Sequence, residues 1–229
     1  MKLFFEILLG IHIIAGFSSI VIFWAPIFFK KGDKNHRITG KIYVYFMWVV
    51  VSTAFILSIE NFIQGDINTA LFLGFLSILS ANPIWYGVAI LNQKRGISES
   101  YRKTHYGFNI LVFTAGLALV MYGISILDQR IPILMFIFGG LGIANGITII
   151  KDYNKGLKRL NWFQHHYKGM VISAIAAYTA FFSFGGREFF SAILPGQLQV
   201  IPWILPTIIG VIAMRLLDRY YIKKGVIKA

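Results

Sequence analysis

Seven stretches of the chain run for eighteen residues or more without a charged side chain, and no other feature limits the possible folds as strongly. They are Ile7 to Phe29, Ile42 to Ile59, Ile67 to Gln93, Tyr106 to Leu127, Ile131 to Ile150, Gly169 to Gly186, and Phe189 to Met214. About 20 mostly apolar residues make a helix long enough to cross a bilayer core. In lipid every backbone N–H and C=O must be satisfied within the protein, so such runs are read as helices. Only 14% of the residues are charged and the mean hydropathy is +0.68, whereas a soluble domain carries about 25% charged residues. The expectation is an all-α integral membrane protein, with residues 1–229 forming one domain of seven transmembrane helices. The last run contains Pro195, Pro202 and Pro206, so its helix is expected to start near Gln197 and continue toward Asp218, leaving Gly185 to Leu194 as an interfacial loop.

Lys and Arg total 22 against 9 acidic residues. Nineteen of the 22 fall in Lys30 to Lys41, Lys94 to Lys103, Lys151 to Lys168 and the tail from Arg215, which alternate helices place on one side. Only Lys2, Arg130 and Arg187 fall on the other. Cytoplasmic flanks collect Lys and Arg, so the N-terminus is expected outside and the C-terminus inside. Topology thus accounts for the net charge of +13. Nucleic-acid binding is not expected, because the basic residues are divided among short loops instead of lining one folded face. The first run lacks a basic leader and a small-residue cleavage site, and is read as a retained helix. With no cysteine, thiolate ligands, iron–sulfur clusters and c-type haem attachment are excluded.

The inward connections share a punctuation. Lys30-Lys31-Gly32 precedes His36 and Gly40, Lys94-Arg95-Gly96 precedes His105 and Gly107, and Lys155-Gly156 precedes His165, His166 and Gly169. We read three helical hairpins followed by a seventh helix. A Gly four positions after a His lies one turn away on the same face, where it leaves room beside the imidazole. His36, Gly40, Tyr43 and Met47 form one such stripe, and His105, Asn109, Val112 and Gly116 another. Since the three outbound helices start at one interface, His36, His105 and one of His165 and His166 are expected to converge in an inner-leaflet pocket. His166 is preferred, because Met170 and Ser173 share its small-residue face. Neutral imidazoles suit haem iron and divalent transition metals, and Asp152 is the best-placed carboxylate to complete a metal shell. His12, inside the first run, is expected to hydrogen-bond a neighbouring helix, with Asn82 or a backbone carbonyl as its partner.

Gly142 and Gly146 in the fifth run and Ala176 and Ala180 in the sixth predict close contact between those two helices. Asn82-Pro83-Ile84-Trp85-Tyr86 and Asp218-Arg219-Tyr220 match strings found in seven-helix receptors, but in reversed order along the chain. They are read as a proline kink and a charged tail.

Lys31-Gly32, His36-Arg37-x-x-Gly40-x-x-Tyr43, His12 with Gly16, and His166-x-x-x-Met170-x-x-Ser173 before Thr179-Ala180-Phe181 resemble an uncharacterised family of bacterial predicted membrane proteins. The resemblance covers most of the chain and implies a multi-pass protein of the bacterial cytoplasmic (inner) membrane, without implying an activity. The His-x-x-x-Gly turn also resembles helices of b-type cytochrome membrane domains. A two-haem transmembrane wire needs His pairs at both faces, and the outer half offers His12 alone. The leading functional expectation is a redox or binding module in which His36, His105, His165 and His166 line a site for haem b or a divalent transition metal, with a partner subunit supplying peripheral electron chemistry. The alternatives are a metal-dependent membrane lipid hydrolase and a small transporter or accessory protein with the histidines as a proton relay.

Overall fold

A computed structural model describes residues 2–128, 132–154 and 161–227. Among these residues all regular structure is helical, with no strands. Helix α1 (Lys2–Ile22) breaks at Phe23-Trp24 into a single turn, α2 (Ala25–Phe28), which has Pro26 in its first turn. There follow α3 (Lys34–Ile63), α4 (Ile67–Ala89, extended by a 3₁₀ turn to Gln93), α5 (Glu99–Ser125) and α6 (Pro132–Asn154). Next is α7 (Trp162–Ala180), which ends in a π turn over Phe181–Gly185. A short α8 (Arg187–Ile193) occupies the segment expected to be an interfacial loop, and α9 (Ile201–Lys223) forms the last run.

Six helical segments are long and apolar enough to cross a membrane: Lys2–Phe28, Lys34–Ile63, Ile67–Gln93, Glu99–Ser125, Trp162–Gly185 and Leu198–Lys223. The remaining apolar run falls on α6, with Ile133–Ile147 as its described apolar stretch. The distribution of polarity is that of a protein dissolved in lipid. Phe28, Ile14 and Ile63 are 81%, 68% and 70% exposed, while Ser19, Ser173 and Asn109 are 0%, 0% and 2% exposed. In water so much exposed apolar surface would drive association, whereas against acyl chains it costs nothing and the polar groups must turn inward.

Helices α3, α5 and α7 start at side-chain caps. Asp33 Oδ1 accepts from the His36 amide at 2.7 Å, Ser98 Oγ from that of Tyr101 at 3.2 Å, and Asn161 Oδ1 from those of Phe163 and Gln164 at 3.0 and 3.2 Å. Each cap satisfies amides that the first helical turn leaves without carbonyl partners.

Helix α4 lies at the centre, with α3, α5 and α7 against it; α1 packs on α3, α6 on α5 and α9 on α7. Helices α3, α5 and α7 therefore each rest on α4. The contact expected between the fifth and sixth runs is replaced by two others among the described residues. A Cβ added at Gly139 would stand 2.8 Å from Gly116 O, one at Gly142 3.0 Å from Val112 O, and one at Gly146 2.5 Å from the Phe113 side chain, so the smooth face of α6 lies on α5. The small face of α7 turns to α4: a Cβ on Gly169 would sit 2.6 Å from Gly87 Cα. Small residues mark a face that another backbone approaches closely, without specifying which backbone.

Candidate functional site

At the basic end of the bundle His36 and His166 lie side by side, with ring centres 6.4 Å apart and planes inclined at 72°. His36 stands on the first turn of α3, and the break between α1 and α2 carries Pro26 to it. His36 Nδ1 donates to Pro26 O at 2.9 Å, and His166 Nδ1 donates to Gly87 O at 2.7 Å. A carbonyl oxygen can only accept, so in each neutral ring the proton resides on Nδ1 and Nε2 keeps its lone pair. This is the tautomer that a metal-ligating imidazole requires, with the second nitrogen fixed by a backbone acceptor.

The same two helices are joined two turns further along. Tyr43 OH donates to Ser173 Oγ at 2.8 Å, and Ser173 in turn donates to Met170 O at 2.8 Å. Tyr43 follows His36 by seven positions and Ser173 follows His166 by seven, so α3 and α7 run parallel and in register on these faces. Tyr43, Met47 and Val51 form a buried cluster with Ala81 and Ile84 of α4, against which Met170 and Ala177 pack. Gly87 and Gly169 allow α4 and α7 to approach until the His166 ring reaches the Gly87 carbonyl. In this hairpin the Gly serves helix contact and not room beside the ring. At Gly40 the space is open, since an added Cβ would meet nothing within 4 Å.

His105 and His165 both rest against Tyr86. The His105 ring stacks on it at 5.3 Å, and His165 meets it edge-on at 5.5 Å. His105 is 5% exposed and also stacks on Tyr101 at 5.7 Å and Trp85 at 6.3 Å. Its place is thus in an aromatic layer built by α4 and α5, seven positions beyond the Ser98 cap, whereas His36 stands three beyond Asp33 and His166 five beyond Asn161. Asp152, expected to complete a metal shell, falls near the end of α6, and its side chain lies outside those described. Among the described residues no group of three or more His, Asp or Glu side chains is arranged to hold a metal ion.

A second polar centre links α4, α5 and α6. Asn109 Oδ1 accepts from Asn82 Nδ2 and from Asn145 Nδ2, both at 2.8 Å, while Asn109 Nδ2 donates to His105 O at 2.6 Å. Three asparagines within charge-free runs were the available signal for it. Asn82 is accordingly not the partner of His12, whose Nδ1 lies 2.8 Å from Thr53 Oγ1. Because the Thr53 hydroxyl already donates to Val49 O at 2.7 Å, it accepts from His12. Asp218, read from the sequence as part of a charged tail, joins α9 to α7: it accepts from Gln164 at 2.8 Å, from Lys168 at 2.9 Å, and from the Tyr167 hydroxyl.

Comparisons of the chain with protein-family models, with curated proteins and with solved structures gave no match. Function must therefore be argued from the site itself.

Proposed function

We propose that the protein is a seven-helix membrane protein of the bacterial cytoplasmic membrane, with its N-terminus outside, whose cytoplasmic end binds a b-type haem or a transition metal through His36 and His166. One observation carries this reading: two adjacent imidazoles, on different helices, each hold Nδ1 on a backbone carbonyl and keep an Nε2 lone pair. Both rings are only partly buried, so an Nε2 lone pair fixed in this way stays open to a Lewis-acidic partner. When bound, the metal centre supplies electron transfer or simple ligand binding. The chain's own contribution is positional. Pro26 O and Gly87 O fix the tautomers, the Tyr43–Ser173 bond and the Gly87–Gly169 contact fix the separation of α3 and α7, and Tyr86 holds His105 and His165 in the aromatic layer beside the pair. A redox role further requires a partner that delivers electrons at the cytoplasmic face. The 19-to-3 division of Lys and Arg supports the orientation.

The test is the absorption spectrum and metal content of the protein extracted from membranes, before and after reconstitution with haem or a divalent metal. A Soret band or stoichiometric metal is expected in the wild type and lost in both His36→Ala and His166→Ala, but retained in His12→Ala. A folded protein that takes up neither haem nor metal, or whose uptake ignores His36 and His166, sinks the reading.

A further inference from the structure

The charges around the histidine pair discriminate between a bare cation and a metal that arrives inside an anionic ligand. Lys31 Nζ donates to Pro26 O at 3.0 Å, the same oxygen that accepts from His36 at 2.9 Å, and to Ile27 O at 2.8 Å. An ammonium and the His36 ring therefore share one acceptor. On the other side Lys94, 4.6 Å from the centre of the Trp162 ring, lies within Coulomb range of His166. Among the described residues neither Lys31 nor Lys94 forms an ion pair with a carboxylate. The nearby Asp33 carboxylate is committed to the His36 amide, and Asp218 to Lys168, Tyr167 and Gln164. Partial burial lowers the pKa of Lys31 from the usual lysine value, the mark of an ammonium that an anion would stabilise. A free dication would meet two ammonium groups here against the one nearby Asp33 carboxylate, so the balance of charge at the pair favours an anion.

The spacing of the rings points the same way. Metal–nitrogen bonds of about 2.0–2.1 Å put two imidazole centres about 5 Å apart at a tetrahedral angle and about 6.3 Å apart when they are trans. The observed separation is 6.4 Å. Two ligands so spaced would leave the remaining positions of a metal to another donor set.

Resting on the reading of His36 and His166 as ligands, we infer that the site takes its metal as a planar, carboxylate-bearing tetrapyrrole, with Lys31 and Lys94 as the partners of its carboxylates. Charge-assisted bonds of this kind set the expected size of effect.

Titration of the purified protein with iron protoporphyrin IX, with its dimethyl ester and with Zn²⁺ alone tests the inference. The free acid should bind with a spectrum of two axial imidazoles. The ester, and the free acid on the Lys31→Gln, Lys94→Gln double variant, should each bind at least about tenfold more weakly, and added salt should weaken the free acid more than the ester. Equal affinity for acid and ester, with binding still dependent on His36 and His166, overturns the anionic ligand and leaves the histidine site standing. Zn²⁺ binding that needs both histidines, without porphyrin binding, does the same. Failure of every probe to bind, or binding that ignores both histidines, removes the underlying reading and the inference with it. The ester and salt arms use the wild type, so they decide even if the lysine variant does not fold.

Discussion

Buried hydroxyls and amides in this bundle work in chains, and a chain does not lose the same amount at each link. Ser173 donates to Met170 O and accepts from Tyr43, so its removal orphans a phenol that is 2% exposed. Removing the phenol leaves Ser173 with its donor satisfied. Tyr43→Phe is therefore expected to destabilise by about 0.5–1.5 kcal/mol and Ser173→Ala by about 1–3 kcal/mol, the order being the diagnostic. Thermal unfolding of the two variants in one detergent measures it; equal losses would mean that another group takes up the phenol. The same logic applies to Asn109, whose one carbonyl oxygen serves two amides. Asn109→Ala orphans both, while Asn145→Ala leaves the Asn82 bond in place, so the first should cost more by about 1 kcal/mol. Parts of these chains could be read in the sequence. Tyr43 lay on the His36 stripe and Ser173 on that of His166, and at these two residues both stripes are buried. That Ser173 meets Tyr43 could not be read, because helical periodicity gives the face a residue occupies and not the helix it faces.

Gly87 and Gly169 illustrate that limit for pairs of helices. Gly169 was visible in the His-x-x-x-Gly spacing from His165, but its use, contact with α4, depends on a glycine 82 positions earlier. Gly142 and Gly146 likewise announced a close neighbour, and that neighbour proved to be α5. A methyl at Gly169 would stand 2.6 Å from Gly87 Cα and 2.9 Å from its amide nitrogen, both backbone atoms that cannot rotate away. Gly169→Ala should consequently push α7 from α4, costing about 1–3 kcal/mol through overpacking, and lengthen the His166 bond to Gly87 O. Gly107, where an added Cβ meets nothing within 4 Å, is the control: Gly107→Ala should be neutral or stabilising by up to about 1 kcal/mol, the helix-propensity gain. Unfolding of both variants, with haem or metal occupancy for Gly169→Ala, provides the check. Unchanged stability in Gly169→Ala would show that the helices are not in contact there. The caps depend on residue type and not on a partner helix. Asp33, Ser98 and Asn161 are the residue types that end a loop and start a helix, and each does so here. The turn of α2 escaped notice because an apolar run with an internal break looks the same as one without.

Taken whole, the molecule is polar inside and apolar outside, and the charge-free runs conveyed that before any contact was known. Their alternation also brings basic segments to one end: Asn161 Nδ2 reaches Val226 O at 3.4 Å, tying the start of α7 to the tail, and Lys94, ahead of α5, lies over Trp162 on α7. The segments that meet at this end and the connections between them hold 19 of the 22 Lys and Arg of the sequence, so the proposed orientation puts it in the cytoplasm and the α3–α4 turn outside. The chain contains no cysteine, which makes a single introduced thiol a unique reporter. Gln64, exposed in the α3–α4 turn, and Ser100, exposed in the first turn of α5, are suitable sites; Ser98 is spared because its hydroxyl caps α5. In intact cells an impermeant maleimide should label Gln64→Cys and leave Ser100→Cys unlabelled until the membrane is opened. The reverse pattern would invert the protein and put the histidine pair at the outer face, where a cytoplasmic electron partner could not reach it. Labelling of both in intact cells would mean that the intervening helix α4 does not cross the membrane. The bundle would then lose its centre, since α3, α5 and α7 all rest on that helix.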